Sequence, residues 1–315
     1  MEHRRRWNRG LVWLVAVVGL LFVVLAVPGS PVTALLAHLL AAPERVITIS
    51  ADGMSPSSPS RATRPVLRAA VGAMISPQRT YLQYRQLFEL VAKELGRDLV
   101  FVQRETYSDI NDLLVNGTVD VAWVCTGALS DLRRRNGARL LVVPVVNGES
   151  RYRSYVIARF DGPRDLEDLR GKEFAFTDPL SLTGRRVMIQ WLASRGETAE
   201  SFFGNVFYTH AHDNSIRAVR RRLADAACVD SLVYDGLQRL DPAAVEGTRV
   251  IWRSEWFPIP PLVVSAQVPP ALRDELAALF LHLNAEPRAK PAMRAMGVER
   301  FVRPDPGVYS LYWPG

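Results

Sequence analysis

From Pro65 onward, short apolar segments alternate with longer segments whose apolar residues recur at helical spacing. Val119–Val124 is apolar at nearly every position, which is typical of a strand buried on both faces of a parallel sheet. Tyr81–Gly96 instead gathers its apolar residues on one face of a helix. This alternation predicts an α/β fold made of βαβ units, with an open and mostly parallel sheet.

The alternation continues through two series of elements. The first series predicts strands over 66–74, 99–103, 119–124 and 139–146, and helices over 81–96, 108–116 and 129–135. The second predicts strands over 152–159, 173–177, 206–208, 226–229, 249–253 and 260–265, and helices over 183–195, 213–223, 231–240, 270–284 and 287–296. Two such series predict two lobes: 64–150 with 255–315, and 151–254. A cleft between them is a ligand site, because ligands of α/β sheets bind at the carboxyl ends of strands.

The composition is that of an ordinary globular protein with an excess of positive charge. The 315 residues are 48% hydrophobic and 23% charged, and the formal net charge is +7. A basic balance is compatible with nucleic acid, a membrane surface or an anionic ligand. No basic run is interleaved with aromatic residues, which argues against nucleic acid. Part of the excess lies in Arg4, Arg5, Arg6 and Arg9.

The N-terminal 43 residues read as a membrane signal. The four arginines precede an uncharged run over 10–27, which is at the short edge of what spans a bilayer, and a second apolar patch covers 32–42. The positive flank is expected to stay inside, which places the rest of the chain in the periplasm or otherwise outside the cytoplasm. A cleaved secretory signal is the alternative to an uncleaved anchor helix in the inner membrane. Residues 44–63, with the stretch Ser-Pro-Ser-Ser-Pro-Ser, read as a flexible linker.

The stretch Phe174–Gly184 has the pattern of an anion site. An apolar strand ends at Asp178-Pro179, and the hydroxyl residues Ser181 and Thr183 then precede a predicted helix. The first N–H groups of a helix have no partner within it, and the helix dipole favours negative charge there. The alternative is that these residues only cap the helix.

Other polar residues follow neighbouring predicted strands. Thr126, His212 and Asp230 come after the strands over 119–124, 206–208 and 226–229. Since the carboxyl ends of parallel strands share one sheet edge, these side chains are expected to converge with Ser181. His212 has the alternatives of a structural histidine or, with His210, a metal pair, although no third ligand is evident.

Several stretches in order resemble one known family. They are Glu105–Asp109, Val119–Trp123, Gly148–Ser154 with its Tyr152-x-Ser154, Leu169–Lys172, Asp178–Gly184, Ala211–Asp213 and Ala226–Asp230. Together they resemble the bacterial phosphate-, phosphite- and phosphonate-binding proteins of ABC import systems, a branch of the two-lobed type 2 periplasmic binding proteins. The resemblance covers most of residues 66–300 and implies a small phosphorus oxyanion as ligand, no cofactor, no metal and an ABC permease as partner.

The resemblance also implies roles for individual residues. Tyr107 would donate its phenolic O–H to the anion, and Tyr152 would lie near the crossing between the lobes. Ser181, Thr183 and Gly184 would form the anion loop with Leu182. His212 would donate to an oxyanion. Asp230 is either a helix N-cap or the acceptor for a protonated P–OH or a ligand amine.

Leu182 departs from the family pattern, because the family usually has a hydroxyl residue at this position. A side-chain donor is lost, although the backbone N–H remains. Three consequences stay open: a ligand with fewer oxygens, an apolar ligand substituent that faces Leu182, or reduced affinity.

The resulting hypothesis is a solute-binding protein that delivers its ligand to a permease. The alternative is a membrane-anchored sensor module that presents its ligand state to a signalling partner. Ser181, His212 and Asp230 are residue types that hydrolases combine, but the chain has no G-x-S-x-G elbow, so an enzyme is not expected.

The two cysteines, Cys125 and Cys228, lack metal-type spacing. They are expected to be two small buried thiols. The alternative is a disulfide that would join the two lobes.

Overall fold

A computed structural model describes residues 64–312 of the chain. The predicted N-terminal helix and linker lie outside this range. Across 64–312, none of the helices combines the length and the apolar character that crossing a bilayer requires.

The described part of the chain alternates strands and helices as the periodicity predicts. The strands are β1 (Val66–Val71), β2 (Asp98–Val102), β3 (Val121–Trp123), β4 (Ala138–Val145), β5 (Arg151–Tyr152), β6 (Ser154–Arg159), β7 (Glu173–Phe176), β8 (Asn205–Tyr208), β9 (Ala226–Asp230), β10 (Thr248–Arg253), β11 (Phe257–Pro258), β12 (Leu262–Ser265) and β13 (Arg300–Val302). The helices are α1 (Pro77–Glu94), α2 (Tyr107–Val115), α3 (Leu129–Arg134), α4 (Val187–Ala193), α5 (Ala199–Phe202), α6 (His212–Arg220), α7 (Ser231–Leu240), α8 (Pro270–His282), α9 (Lys290–Ala295) and α10 (Pro306–Tyr309).

The strands form two main sheets, each at the centre of one lobe. The first lobe holds a six-stranded sheet in the order β13-β4-β12-β3-β1-β2, and the second holds a five-stranded sheet in the order β10-β6-β9-β7-β8. In the first, β1 is parallel to β2 and β3. In the second, β7 is parallel to β8 and β9.

The prediction of a mostly parallel sheet holds for most strands, since β1–β4 share one direction in the first sheet and β7–β10 share one direction in the second, but both sheets are mixed. In the first sheet β12 runs antiparallel to β3 and β4, and β13 runs antiparallel to β4. In the second, β6 runs antiparallel to β9 and β10. The reason is the path of the chain. β6 and β12 follow the crossings between the lobes, so they enter each sheet against the direction of its βαβ strands.

The two crossings are paired with each other. β5 leads into the second lobe and β11 leads out of it, and they form a two-stranded antiparallel ladder in which Phe257 lies opposite Tyr152. The Arg153 guanidinium stacks over the neighbouring Trp256 ring, 3.6 Å from its centroid. This ladder is the short connection about which the lobes are hinged. The exact limits of the lobes at 150/151 and 254/255 stay a prediction.

Helices cover both faces of each sheet. In the first lobe, Leu87 and Phe88 of α1 and Phe280 of α8 pack on one face, and Ile110 and Leu114 of α2 belong to the cluster on the other. The second lobe repeats the arrangement with two smaller clusters. Each sheet is thus packed with buried side chains on both faces, which holds the ends of its strands in place.

The helix predicted over 183–195 begins differently from expectation. Its first turn, Leu182–Arg186, is a π-helix, and the α-helix starts at Val187. The carbonyl of Gly184 accepts the Thr177 N–H at 3.0 Å, which takes it out of the regular helical ladder. This hydrogen bond connects the π-helical turn to the residue that follows β7.

Candidate functional site

The candidate site lies where the strands of the second lobe end and meet the first lobe. The coil after β7 carries Ser181 and Thr183, α6 begins with His212, and β9 ends with Asp230. Tyr107 at the start of α2 comes from the first lobe, and Tyr152 lies in the hinge strand β5. Tyr107 and Tyr152 share one buried cluster with Cys125 and with Leu182 of the second lobe.

The coil after β7 is held in one conformation by its own backbone. The Ser181 hydroxyl accepts the Gly184 N–H at 3.0 Å, so this serine is an N-cap, as the capping alternative states. A Cβ on Gly184 would come within 2.5 Å of the Thr177 side chain, so only glycine fits. The Thr183 N–H is one of the first backbone N–H groups of the π-helical turn. The first N–H groups of a helix can donate to an anion.

Three hydroxyl groups of this region are buried without a hydrogen-bond partner among the described residues: those of Tyr107, Tyr152 and Thr183. Their side chains are sealed from solvent, since Tyr107 is 1% exposed and the other two are 0% exposed. A buried polar group without a partner costs roughly 1–3 kcal/mol, and native proteins rarely keep one. Three in one interface indicate donors that are reserved for a bound acceptor.

The tyrosines remain protonated donors. Burial first, and then nearby Cys125 and Asp230, hold the pKa values of Tyr107 and Tyr152 well above their ordinary value. Ser181 lies beside Tyr107, and Thr126 lies beside Tyr152. The phenols therefore offer O–H groups and no negative charge at neutral pH.

His212 is a neutral imidazole of defined tautomer. Its Nδ1 accepts the Asp230 N–H at 3.1 Å, and the Thr177 hydroxyl lies 3.0 Å from the same nitrogen. Burial lowers the pKa of His212 to about 3. Because Nδ1 is an acceptor, the ring proton is on Nε2, which leaves that nitrogen as a donor.

Asp230 caps the helix that follows it. Its Oδ1 accepts the Leu232 N–H at 2.7 Å, as the N-cap alternative states. Burial raises the pKa of Asp230 to about 7. This carboxyl therefore holds a proton in a large share of molecules near neutral pH, and it opposes an anionic neighbour far less than an ordinary aspartate does.

Thr126 and Cys125 adjoin the tyrosines at the end of β3. The Thr126 hydroxyl donates to the Pro258 carbonyl of the hinge at 2.8 Å, so its proton is not free for a ligand. The Cys125 sulfur accepts the N–H groups of Leu182 and Gly127, and burial raises the pKa of this thiol to about 11. Cys125 and Cys228 are both free and buried, so the disulfide alternative is wrong.

Leu182 packs against the first lobe, in the cluster that holds Tyr107 and Cys125. The backbones approach closely there, because a Cβ on Gly127 would lie 2.6 Å from the Leu182 nitrogen. The leucine side chain thus makes an apolar contact between the lobes in the place of a hydroxyl.

The metal-pair alternative has no support in the fold. His210 is exposed at φ 61°, whereas His212 is buried at the start of α6, so the two rings do not share a strand face. Within 64–312, no group of three or more His, Cys, Asp or Glu residues is placed to hold a metal ion.

Two acidic residues join the lobes and escaped the sequence analysis. Asp178 of the second lobe accepts the Tyr107 N–H at 3.1 Å, at the start of α2. Asp213 accepts the Ser76 N–H at 2.8 Å and the Ser76 hydroxyl at 2.6 Å. The only signal in the sequence was proximity along the chain: Asp213 directly follows His212, and Asp178 lies three positions before Ser181.

Further bonds surround the Ser76–Asp213 pair. The His212 N–H donates to the Met74 carbonyl at 3.0 Å, and Arg79 lies 3.6 Å from Asp213 and 2.6 Å from Asp241. These bonds hold the two lobes in contact at the start of α6.

Comparison with known proteins agrees with this geometry. The sequence profile of the family described as "ABC transporter, phosphonate, periplasmic substrate-binding protein" matches residues 70–309. The chain belongs to this family. The expected resemblance and the two-lobed fold class are thereby confirmed, and the family is extracytoplasmic.

Two curated relatives are similar to this member of the family. The phosphonates-binding periplasmic protein of Escherichia coli K12 is 24% identical over 70% of this chain and 67% of its own length. The phosphate-import protein PhnD of Mycolicibacterium smegmatis is 23% identical over 62% of this chain and 65% of its own length. The chain thus spans about two thirds of each relative.

Solved structures share the fold. A binding protein component of an ABC phosphonate transporter from Pseudomonas aeruginosa superposes with a TM-score of 0.73 at 21% identity, over 77% of this chain and 82% of its own. PhnD1 from Prochlorococcus marinus, solved with methylphosphonate, superposes with a TM-score of 0.71 at 14% identity, over 78% and 95%.

Proposed function

We propose that this protein captures a small phosphorus oxyanion, namely a phosphonate, phosphite or phosphate, and presents it to an ABC permease. The observation that carries the proposal is the set of buried hydroxyls without partners: Tyr107, Tyr152 and Thr183. Such donors are stabilised only by an acceptor that enters from outside. A tetrahedral oxyanion supplies several acceptor oxygens at once.

The surroundings suit an anion bound by neutral donors. In the helical turn that begins at Leu182, the N–H groups of Leu182 and Gly184 are taken by Cys125 and Ser181, so the Thr183 N–H and the positive end of the dipole are what this turn offers an anion. The Nε2–H of His212 adds a donor, and the raised pKa of Asp230 reduces repulsion from the one carboxyl at this position.

Donors from both lobes make ligand binding and closure one event. Tyr107 belongs to the first lobe, Thr183 to the second, and Tyr152 to the hinge. A ligand that bonds to all three is bound more tightly by the closed form, so it shifts the population toward closure. The closed form is then the state that a permease recognises.

This function involves no catalysis. Ser181 caps its own helix and the His212 Nδ1 is already an acceptor for a backbone N–H, so the two do not form a nucleophile and base. The predicted anchoring to the inner membrane and the sensor alternative stay predictions, and no observation within 64–312 favours the sensor.

The test is a thermal-shift titration of the full chain with phosphate, phosphite, methylphosphonate and sulfate. A ligand that binds only the folded state raises the Tm, by an amount that grows with its concentration above Kd. We expect a rise with at least one phosphorus oxyanion and a smaller rise with sulfate. The absence of any rise with all three phosphorus oxyanions would contradict the proposal.

A further inference from the structure

A cavity between the lobes is lined by Asp230, one of the candidate site residues. Its volume is about 90 Å³, and its walls come from both lobes. They are mainly apolar: Met74, Trp123 and Met296 from the first lobe, and Leu232, Val233 and Leu237 from the second.

The cavity meets the candidate site at Asp230, and two of its lining residues are hydrogen-bonded to His212. Asp230 and Met74 both line the cavity. The backbone N–H of Asp230 donates to the His212 ring, and the backbone N–H of His212 donates to the Met74 carbonyl. Tyr84 also lines the cavity and lies close to Asp230. Burial raises the pKa of the Tyr84 phenol, and the nearby Asp230 carboxyl raises it further. A ligand held beside His212 therefore has the cavity next to it.

We propose that this cavity receives an apolar substituent on the phosphorus of the ligand, so that the protein prefers alkylphosphonates with chains of about three to five carbons over methylphosphonate. The inference rests on the proposed function, since the phosphorus oxygens must occupy the hydroxyl cluster. The length of the substituent follows from the volume of the cavity. An apolar cavity of about 150 Å³ accepts benzene, so a cavity of about 90 Å³ accepts a substituent with fewer carbons than benzene.

The charges around the cavity favour an apolar substituent over an ammonium. Arg79 and Arg239 are among its lining residues, and Asp230 is the lining carboxylate. The Oδ1 of Asp230 is already bonded to the Leu232 N–H. A cationic chain would meet two guanidinium groups and a single carboxyl that is partly neutral at pH 7, whereas an alkyl chain loses only its contact with water.

Gly236 provides a way to fill the cavity without touching the oxyanion donors. It lines the cavity on α7, its backbone is helical, and an added Cβ would meet no atom within 4 Å. Gly236→Leu therefore places an apolar side chain where the substituent would lie. Gln238→Leu, at an exposed position of the same helix, is the matched control.

The experiment is calorimetric titration of the full chain with methyl-, ethyl-, n-propyl- and n-butylphosphonate, and with 2-aminoethylphosphonate, which is nearly isosteric with the propyl compound. Affinity is expected to rise about fourfold with each added methylene. Gly236→Leu is expected to abolish this gain and to leave the affinity for methylphosphonate within twofold, whereas Gln238→Leu changes neither.

The outcomes separate this inference from the proposed function. Methylphosphonate that binds without any gain from longer chains would overturn the inference and leave the function in place. Tighter binding of 2-aminoethylphosphonate than of propylphosphonate would also overturn it. Failure of every phosphonate in the series and of phosphate would overturn the function itself.

Discussion

Two parts of the interface between the lobes differ in whether their buried polar atoms have hydrogen-bond partners. Around Asp213, each carboxylate oxygen accepts a hydrogen bond from Ser76, and Arg79 stands nearby. Around Tyr107 and Thr183, the hydroxyls have no partner among the described residues. The first contact is complete within the protein and can only hold the lobes together. The second lacks partners within the described residues, which is the basis for proposing it as the binding site.

The largest expected effect follows from removing one donor of the incomplete contact. Tyr107→Phe should weaken phosphonate binding roughly 10- to 100-fold, because a hydrogen bond to a charged group is worth about 1.5–3 kcal/mol. It should not lower the Tm of the ligand-free protein, because the lost hydroxyl had no partner there. Calorimetry and thermal unfolding measure the two effects.

The control for this variant is Tyr309→Phe. The Tyr309 hydroxyl is buried too, but it donates to the Ile259 carbonyl at 2.6 Å. This variant should lose about 1 kcal/mol of stability and keep its affinity. If Tyr107→Phe behaved in the same way, its hydroxyl would be structural and the comparison would fail.

A smaller loss of affinity is expected when closure itself is obstructed. The three atoms nearest to a Cβ on Gly127 all belong to Leu180 and Leu182 of the opposite lobe. Gly127→Ala should therefore leave the folding of the first lobe intact and weaken ligand binding about tenfold, because the lobes cannot close fully. Gly236→Ala, where the Cβ meets open space, is the control. Equal affinities of the two variants would show that Gly127 does not contact the opposite lobe in the ligand-bound form.

Breaking the complete contact should have a more modest effect. Asp213→Asn weakens two charge-assisted bonds from Ser76, which lowers the population of the closed form and should reduce affinity about three- to tenfold. Asp241→Asn removes only a half-exposed ion pair with Arg79 and should change affinity less than twofold. Should Asp241→Asn cost more than Asp213→Asn, the ion pair and not the Ser76 bonds would hold the lobes together.

The smallest effect is expected on the pH dependence of wild-type stability, because the contributions of two buried groups oppose each other. Asp230 has its pKa raised to about 7, so folding takes up a proton and stability falls as pH rises from about 4 to 7. His212 has its pKa lowered to about 3, so stability falls as pH drops from about 6.5 to 3. Between pH 4 and 6.5 the two contributions largely cancel.

Single variants expose each contribution. Relative to the wild type, Asp230→Asn should lose stability by about 1.4 kcal/mol per unit as pH falls from 6.5 to 4.5, and His212→Gln should gain by about as much. Urea unfolding at three pH values measures both slopes. Slopes of the same sign would contradict the assignment of these protonation states.

The sequence predicted most of the strands and helices, because hydrophobic periodicity is a local feature, and the site residues stay a prediction. It did not predict the mixed sheets, since the direction of β6 and β12 depends on how the chain crosses between the lobes. Ser181 and Thr183 were found from their place after β7. Ser181 is a helix cap, whereas the Thr183 hydroxyl has no partner within 64–312. Which of the two hydroxyls reaches a backbone N–H depends on the π-helical turn at Leu182–Arg186, which is hydrogen-bonded to Thr177.

The contacts between lobes were the part that the sequence could not show. Asp178 and Asp213 act on residues more than 70 positions away. Thr126, which was predicted to bind ligand, likewise donates to a residue far along the chain, Pro258 of the hinge strand β11. Only the folded chain shows which hydroxyls are already paired and which are left for a ligand.

The most direct test is a crystal structure of the protein grown with methylphosphonate. The account predicts phosphonate oxygens at hydrogen-bond distance, about 2.7 Å, from the hydroxyls of Tyr107, Tyr152 and Thr183 at once. A phosphonate bound elsewhere, with these three hydroxyls paired to protein groups or to water alone, would contradict it.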